Sequence, residues 1–550
     1  MPDSLSLADW PPFERCHDWP HAAIIIARDT VALEISLPQF LLVICCAVAI
    51  TACGDDISSN GPVDAAPTTD AFVATPRGQF PASFLWGTAT AAYQVEGDLH
   101  DSDWFQWEGL CDVCSGASAD DGPKFLDHYQ ADFANAASIS TNAFRMSLDW
   151  SRLFPTRSSF PDNPDPAGVQ LYHDILDSAR QAGLEPMVTL VHFALPSWLQ
   201  DLTDLDSRSG FVDISAVDDF EAFADWAASE YGSKVDYWIT INEMFVMVGA
   251  GWISGDFPPG KTIEVDESFV VLLNLIRAHA RGYDAIHRRD TGDADGDGVA
   301  ARVSISKHNR VFLPKDPTDP DHVRSADMLR YLVNHYILQA LVFGNIDGNF
   351  DMDYDDPEDT ADDPGLRGRL DFIGLNYYGV SLVVDAGSDR NFPLIGFPLS
   401  NDLENQGFPG AFSDFGWTLY SQGLRPIIDE LEPYGLPIII TENGIADAND
   451  NQRPRYIIEH LYEINEAIDD GIDIRGYFHW SLIDNFEWGS GFCPRFGLFR
   501  VDYDDPARPR TMGEGASVYK RIIDANTVSP DLFVEYPSYG EPGFCPRVAL

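Results

Sequence analysis

From residue 83 onward the chain alternates between two patterns. Short runs rich in apolar and β-branched residues read as buried strands. They are 83–90 (SFLWGTAT), 142–150 (NAFRMSLDW), 185–193 (EPMVTLVHF), 235–243 (VDYWITINE), 301–308 (ARVSISKH), 370–378 (LDFIGLNYY), 436–444 (LPIIITENG) and 474–482 (IRGYFHWSL). Between them lie longer helix-like segments at 127–139, 169–182, 216–232, 267–289, 326–344, 417–432 and 455–469, and a last one spans 514–526. Strand–helix alternation predicts parallel strands, and eight such units predict a closed (β/α)8 barrel of the TIM type. The expected fold class is therefore α/β, with one catalytic domain over 77–530. A doubly wound open sheet would announce a Gly-rich nucleotide loop after its first strand. None follows 83–90, and the chain has no P-loop.

In such barrels the chemistry sits at the C-terminal ends of the strands. Here most strands end in polar or aromatic residues. Gln94 lies beyond the first, Arg145 within the second and His192 at the third. Asn242 and Glu243 close the fourth, Asn376 and Tyr378 the sixth, Glu442 the seventh and Trp480 the eighth. A ring of such residues argues for one site. Two carboxyl groups flanking a substrate are the machinery of glycoside hydrolysis, one as acid and one as nucleophile or base. The plainer reading, a barrel-end glutamate paired with Arg or Lys, suits one glutamate better than two set among Asn, Gln, His, Tyr and Trp. Trp480 also has a plain reading as a core aromatic, and Glu487 as a surface charge.

Composition narrows the picture further. The 550 residues are 45% hydrophobic, enough for one large core, and 12% aromatic, which also suits a cleft where rings stack on sugars. A formal net charge of −52 repels nucleic acid and anionic lipid headgroups, so nucleic-acid binding is excluded as a function. The acidic surface reads as solubilising. The motif DADGDG (293–298) begins like a calcium loop, but its twelfth position is Ser304, so an EF-hand is not supported. A surface calcium site and a simple Asp/Gly turn before the fifth strand both remain open for Asp293–Asp297. Cys111 and Cys114 form a lone C-x-x-C with no second pair, a weak zinc pattern. In an exported protein these two, Cys493 and Cys545 favour disulfides, with the pairing left open.

Four long motifs carry a resemblance to glycoside hydrolase family 1, the β-glucosidase family. FPASFLWGTATAAYQVEG (80–97), TINE (240–243), ITENG (440–444) and GYFHWSLIDNFEWGSGFCPRFGL (476–498) resemble that family's signatures in order and spacing. The likeness runs from about Phe80 to Asn526, the whole expected barrel. It implies a retaining β-glycosidase acting on terminal β-D-glucosyl residues, with galactosyl and fucosyl as further glycones, and it implies no cofactor. By resemblance Glu442 is the nucleophile and Glu243 the acid/base, with Arg145 and Tyr378 beside the nucleophile. Gln94, His192, Asn242, Glu487 and Trp488 would bind the hydroxyls of the first sugar, Trp480 would floor it, and Asn376 lies nearby. Glu487 argues against phosphorylated sugars, whose charge it would repel. Met244 stands where the family usually has Pro, and Phe193 where it usually has Trp; both touch the rim rather than the catalytic groups. Acid catalysis requires a proton on Glu243, which burial and the Glu442 charge would favour, while Arg145 and Tyr378 would keep Glu442 ionised. A catalytically inactive sugar-binding barrel and an enzyme acting mainly as a transglycosidase are the alternatives; both intact glutamates oppose the first.

The N-terminus reads as an export leader. FLLVICCAVAITACGDD (40–56) is too short to span a membrane comfortably, and ITAC (50–53) resembles a bacterial lipobox. The expected organisation is a leader over 1–53, a disordered acidic and Pro-rich linker over 54–76, and a C-terminal extension over 531–550. The protein would then be a cell-envelope lipoprotein, periplasmic or surface-exposed, anchored through Cys53. No positive charge directly precedes the apolar run, so an uncleaved leader or anchor is the competing reading. Palmitate labelling decides: label on the wild type and none on Cys53→Ser is expected, and equal labelling of both removes the lipoprotein assignment.

Overall fold

The computed structural model of the chain describes residues 74–111, 114–348, 352–354, 357, 359–383, 410–543 and 545. The expected leader with Cys16, Cys45, Cys46 and Cys53, and the expected linker up to residue 73, lie outside the described residues. Eight parallel strands close into a barrel in sequence order. They are β1 (Leu85–Ala89), β2 (Ala143–Ser147), β3 (Glu185–Val191), β4 (Tyr237–Asn242), β5 (Arg302–Pro314), β6 (Ile373–Val383), β7 (Ile438–Asn443) and β8 (Ile474–Trp480). β8 closes the ring by pairing with β1 over Leu85↔Gly476 to Ala89↔Trp480. The (β/α)8 architecture is thus the observed one.

The main outer helices are α1 (Phe125–Ser138), α2 (Pro166–Gln181), α3 (Ser215–Tyr231), α4 (Val265–Arg289), α5 (Pro320–Leu329), α6 (Leu424–Leu431), α7 (Arg453–Asp469) and α8 (Glu514–Ala525). α2 starts where its sequence says it must: Pro166 fills the first position and Asp165 accepts the Gly168 N–H at 2.9 Å. Each helix buries one stripe on the barrel; α2, for example, buries Tyr172, Ile175, Leu176 and Ala179.

The barrel interior begins with an apolar layer of Ala143, Met187, Ile239, Phe372, Ile439 and Phe478. Gly87 makes room for it, since a Cβ there would collide with the Phe478 ring. Strand side chains alternate, so the same face recurs two residues on. On β2 and β3 those next residues are Arg145 and Thr189. The interior therefore changes from apolar floor to polar mouth within one layer.

Four elements differ most from expectation. β5 and β6 run beyond the barrel, pairing Val311↔Val380 through Pro314↔Val383. Their outer halves bury Val380 and Leu382 against Phe412. The helix expected over 417–432 forms only from Leu424. Before it, Ser413 N–H donates to the Trp417 carbonyl (2.9 Å) and Phe412 bridges Thr418, so a turn replaces the first helical turns. The helix expected over 326–344 is compact only to Leu329 and continues in wider turns over Arg330–His335 and Gln339–Phe343.

Both ends of the domain pack down. Thr75 bonds the Tyr462 hydroxyl at 3.1 Å. In the C-terminal extension, Pro530–Glu535 forms α9, which buries Leu532 and Phe533. Cys111 is bonded to Cys114 and Cys493 to Cys545. The 293–298 motif is a turn between α4 and β5. Asp293 accepts the Gly296 and Gly298 N–H groups, Asp295 the Asp297 N–H, and Asp297 pairs with Arg302. Ser304, in the twelfth position, is buried on β5 and donates to the Phe372 carbonyl at 2.5 Å, so it is no loop ligand. Among the described residues no helix is long and apolar enough to cross a membrane.

The excess of acidic side chains leaves the folded surface repelling itself, and salt screens that repulsion. Raising NaCl from about 0.05 to about 1 M is expected to raise Tm by several degrees. A scanning-fluorimetry series in which Tm falls with salt would contradict this.

Candidate active site

β4 ends on Asn242, and Glu243 turns out of the strand with a left-handed backbone, φ 46°. Its N–H donates to the Ser306 carbonyl on β5 at 2.7 Å, which fixes the turn. A short helix, Met244–Val248, starts there. The Glu243 carboxylate accepts Asn376 Nδ2 at 2.8 Å, and His308 Nδ1 lies 3.6 Å from the same oxygen. Asn376 is held in turn by Thr441 Oγ1–H on its Oδ1, 2.7 Å away.

Glu442 sits one residue before the end of β7, only 4% exposed. Arg145 donates to its Oε1 at 2.5 Å and the Tyr378 hydroxyl to its Oε2 at 2.8 Å. Each guanidinium nitrogen has a partner: Nε donates to Thr189 Oγ1 (3.1 Å), Nη1 also to the Thr441 carbonyl (3.2 Å), and Nη2 to Asn242 Oδ1 (2.7 Å). Gly444 follows because a Cβ there would strike the Trp480 carbonyl. The ITENG motif thus combines an apolar strand, a charged end and a glycine-only turn.

Burial is the largest influence on Glu442 and pushes its pKa up; Arg145 opposes it, the Glu243 charge adds to it, and the Tyr378 hydrogen bond opposes it, leaving about 7. The sequence reading counted the donors around Glu442 but not its near-complete burial. Arg145 and Tyr378 each favour the charged form of Glu442, as charge-assisted donors do.

The opposite wall is built from β1, β8 and the loop after β8. Gln94 Nε2 donates to the Phe486 carbonyl (2.9 Å) and to Glu487 Oε2 (3.3 Å). Asn485 Nδ2 donates to the same Glu487 oxygen at 2.9 Å. No described cation pairs with Glu487, and burial carries its pKa to about 8 against the Asn485 hydrogen bond, with the Glu442 and Glu243 charges adding to the rise. His192 lies near-parallel to Trp480 (centroids 5.7 Å) and Trp488 (6.1 Å). Burial, then the Arg145 charge, holds its pKa well below the usual histidine value, so its ring is neutral. Phe193 packs edge-on to Trp488 at 5.3 Å, and Met244 is buried.

All residues nominated from the sequence meet at this one mouth: Gln94, Arg145, His192, Asn242, Glu243, Asn376, Tyr378, Glu442, Trp480, Glu487 and Trp488. Sequence reasoning missed His308. It is 4% exposed, its ring is near-parallel to Tyr378 at 6.5 Å, and its Nε2 has no protein partner among the described residues. The signal was present, because the run SISKH ends on it and the fifth strand was the one given no polar end residue. Asn485, beside Glu487, was missed as well. Gln94 Oε1 is a second buried atom here without a protein partner. A ligand rich in hydroxyls satisfies such atoms, because hydroxyls both donate and accept.

A closed parallel barrel with two buried carboxyls at its C-terminal mouth, walled by tryptophans and amides, has the groups that glycoside hydrolysis requires. The chain belongs to glycosyl hydrolase family 1, whose sequence profile matches residues 76–528. It is 32% identical to a β-galactosidase of Pyrococcus woesei over 82% of this chain and 98% of that protein. It is 31% identical to β-glucosidase 20 of Arabidopsis thaliana over 78% of this chain and 86% of that protein. Among solved structures, the β-glycosidase from Pyrococcus horikoshii superposes with a TM-score of 0.72 at 30% identity, covering 86% of this chain and all of the other. The protein is accordingly a β-glycosidase.

Glu487 gives a stability test. Its folded value of about 8 exceeds the ordinary 4.5. The carboxyl therefore costs stability as pH rises above 4.5, and the cost levels off above about 8. Glu487→Gln keeps an acceptor for Asn485 and Gln94 and removes the buried charge. Its Tm is expected to exceed that of wild type by a margin that widens between pH 5 and 8 and then stays constant. A margin that shrinks over this range would contradict the account.

Proposed function

We propose that the protein is a retaining β-glycosidase that releases terminal non-reducing β-D-glucosyl residues from oligosaccharides and from aryl or alkyl glucosides, with galactosyl and fucosyl residues as further glycones. The observation that carries this is the asymmetry of the two carboxyls. Glu442 receives a guanidinium and a phenol, which stabilise an anion, whereas Glu243 has, among the described residues, one hydrogen bond from the Asn376 amide and His308 Nδ1 at 3.6 Å. An ionised Glu442 attacks the anomeric carbon while Glu243 gives its proton to the departing oxygen. The product is a glycosyl ester on Glu442 and a free alcohol. The negative charge passes from Glu442, now a neutral ester, to Glu243, now a carboxylate. Glu243, now ionised, takes a proton from water, water attacks the anomeric carbon, and both carboxyls return to their starting states.

In this reading Glu487, Gln94 and Trp488 receive the O4 and O6 hydroxyls, His192 and Asn242 the remaining ring hydroxyls, and Trp480 stacks under the sugar. The names of the relatives, β-galactosidase and β-glucosidase, support a hexose glycone. The ITAC motif and the two disulfides support export, with lipidation at Cys53.

Leaving-group dependence tests the roles. With Glu243→Gln, kcat/KM for alkyl glucosides is expected to fall by about 10²–10⁴-fold, the usual worth of a general acid. Dinitrophenyl glucoside, whose leaving group needs no proton, is expected to lose far less in kcat/KM. Azide should restore turnover by replacing water and yield β-glucosyl azide. An equal loss of kcat/KM on both substrates would overturn the acid/base assignment.

A further inference from the structure

The loop that carries Glu487 and Trp488 is held from both sides. Glu487 N–H donates to the Gly491 carbonyl (2.7 Å) and Gly491 N–H to the Trp488 carbonyl (3.0 Å), closing a tight turn. On one flank, Ser115 N–H donates to the Gly489 carbonyl at 2.7 Å, directly after the Cys111–Cys114 disulfide. On the other flank, Cys493 is bonded to Cys545, so the C-terminal segment is fastened to the loop.

That segment is itself docked on the rim. Gly543 N–H donates to the Asp414 carboxylate and Cys545 N–H to the Asp414 carbonyl. Asp414 also accepts Ala448 N–H at 2.7 Å, and its own N–H donates to the Ala446 carbonyl at 2.9 Å, both in the loop after β7. The turn containing Asp414 presents Trp417, whose ring lies 5.4 Å from that of Tyr378, the donor to Glu442. One covalent brace therefore links the rim segments that follow β6, β7 and β8.

Glu487 depends on such a brace more than its neighbours do. Trp488 is wedged among Tyr93, Trp104 and Phe257. Among the described residues Glu487 has no cationic partner, and it is placed by two amide donors and by its own backbone. The path of loop 487–493 decides where its carboxyl lies, and displacement by about 1 Å is enough to lose a directed hydrogen bond.

We propose that the Cys493–Cys545 bond and the C-terminal segment it anchors are a positioning device for the glycone. They hold Glu487 against the O4 and O6 hydroxyls and so set the preference for hexosides over pentosides. This rests on the placement of Glu487 given under Proposed function. The test compares 4-nitrophenyl β-glucopyranoside with 4-nitrophenyl β-xylopyranoside, which lacks the C6 hydroxymethyl. In Cys493→Ser/Cys545→Ser the glucoside-to-xyloside ratio of kcat/KM is expected to fall about tenfold, through a raised glucoside KM with kcat changed by less than about twofold. Wild-type enzyme treated with a phosphine and then alkylated is expected to show the same shift without any substitution; Cys493 is exposed. A ratio unchanged in both preparations, or an equal fall on both substrates, overturns the brace. A wild type that hydrolyses neither substrate overturns the glycosidase reading and the brace with it.

Discussion

The buried pair of Arg145 and Glu442 is the interaction around which the mouth of this barrel is arranged. Both side chains are almost completely out of water, and burying each ion costs several kcal/mol. The pair persists because all three guanidinium nitrogens and both carboxylate oxygens have partners. The partners come from β2, β3, β4, β6 and β7: Arg145 itself, Thr189, Asn242, Tyr378 and the Thr441 carbonyl. No two neighbouring strands could satisfy it alone, so the pair completes only when the sheet closes. Asn242 shows how tightly the requirements interlock. Its Oδ1 accepts from Arg145 and from Asn376, while its amide nitrogen lies 3.4 Å from His192 Nε2. Exchanging that amide for an apolar group would strand three polar partners at once.

The mouth has two electrostatic poles. Glu442 has a guanidinium that opposes burial, and its pKa rises to about 7. Glu487 has only amide donors and is pushed to about 8. Glu442 is the readier of the two to ionise, and Glu487 the readier to hold a proton, able to donate to a hydroxyl as well as accept from one. Two carboxyls of the same type thus take different chemical parts because their surroundings differ. The polar layer is thin: one apolar layer below it the interior is Ala, Met, Ile and Phe, and the closed floor confines substrate to the rim. Rim segments therefore carry the discrimination between glycones, which is why the brace at Cys493–Cys545 matters to them.

Much of this was legible in the chain because a barrel strand records its own end. An apolar run such as LPIII that stops on a charged residue marks the point where side chains leave the core. The seven strands read that way placed their polar residues correctly at one mouth. The fifth strand failed as a marker. Its polar residues, Lys307 to Arg310, fall in mid-strand, because β5 continues past the barrel to pair with the outer half of β6. His308 was hidden by that continuation. The 417–423 segment has helix-like composition, but Ser413 and the Phe412–Thr418 bridge capture it in a turn. Cysteine pairing, the docking of Gly543 and Cys545 on Asp414 and the burial of Glu442 depend on contacts between residues far apart in sequence. Local pattern carries no record of such contacts.

The central claim is that Glu442, whose anion Arg145 and Tyr378 stabilise, attacks the sugar. Incubation of the active enzyme with 2,4-dinitrophenyl 2-deoxy-2-fluoro-β-D-glucopyranoside, intact mass measurement and peptide mapping tests it most directly. The account predicts a single fluoroglucosyl ester, carried on the peptide that contains Glu442 and located on that residue. An ester on Glu243, or an active enzyme that forms no adduct while turning over the unsubstituted glucoside, would contradict it.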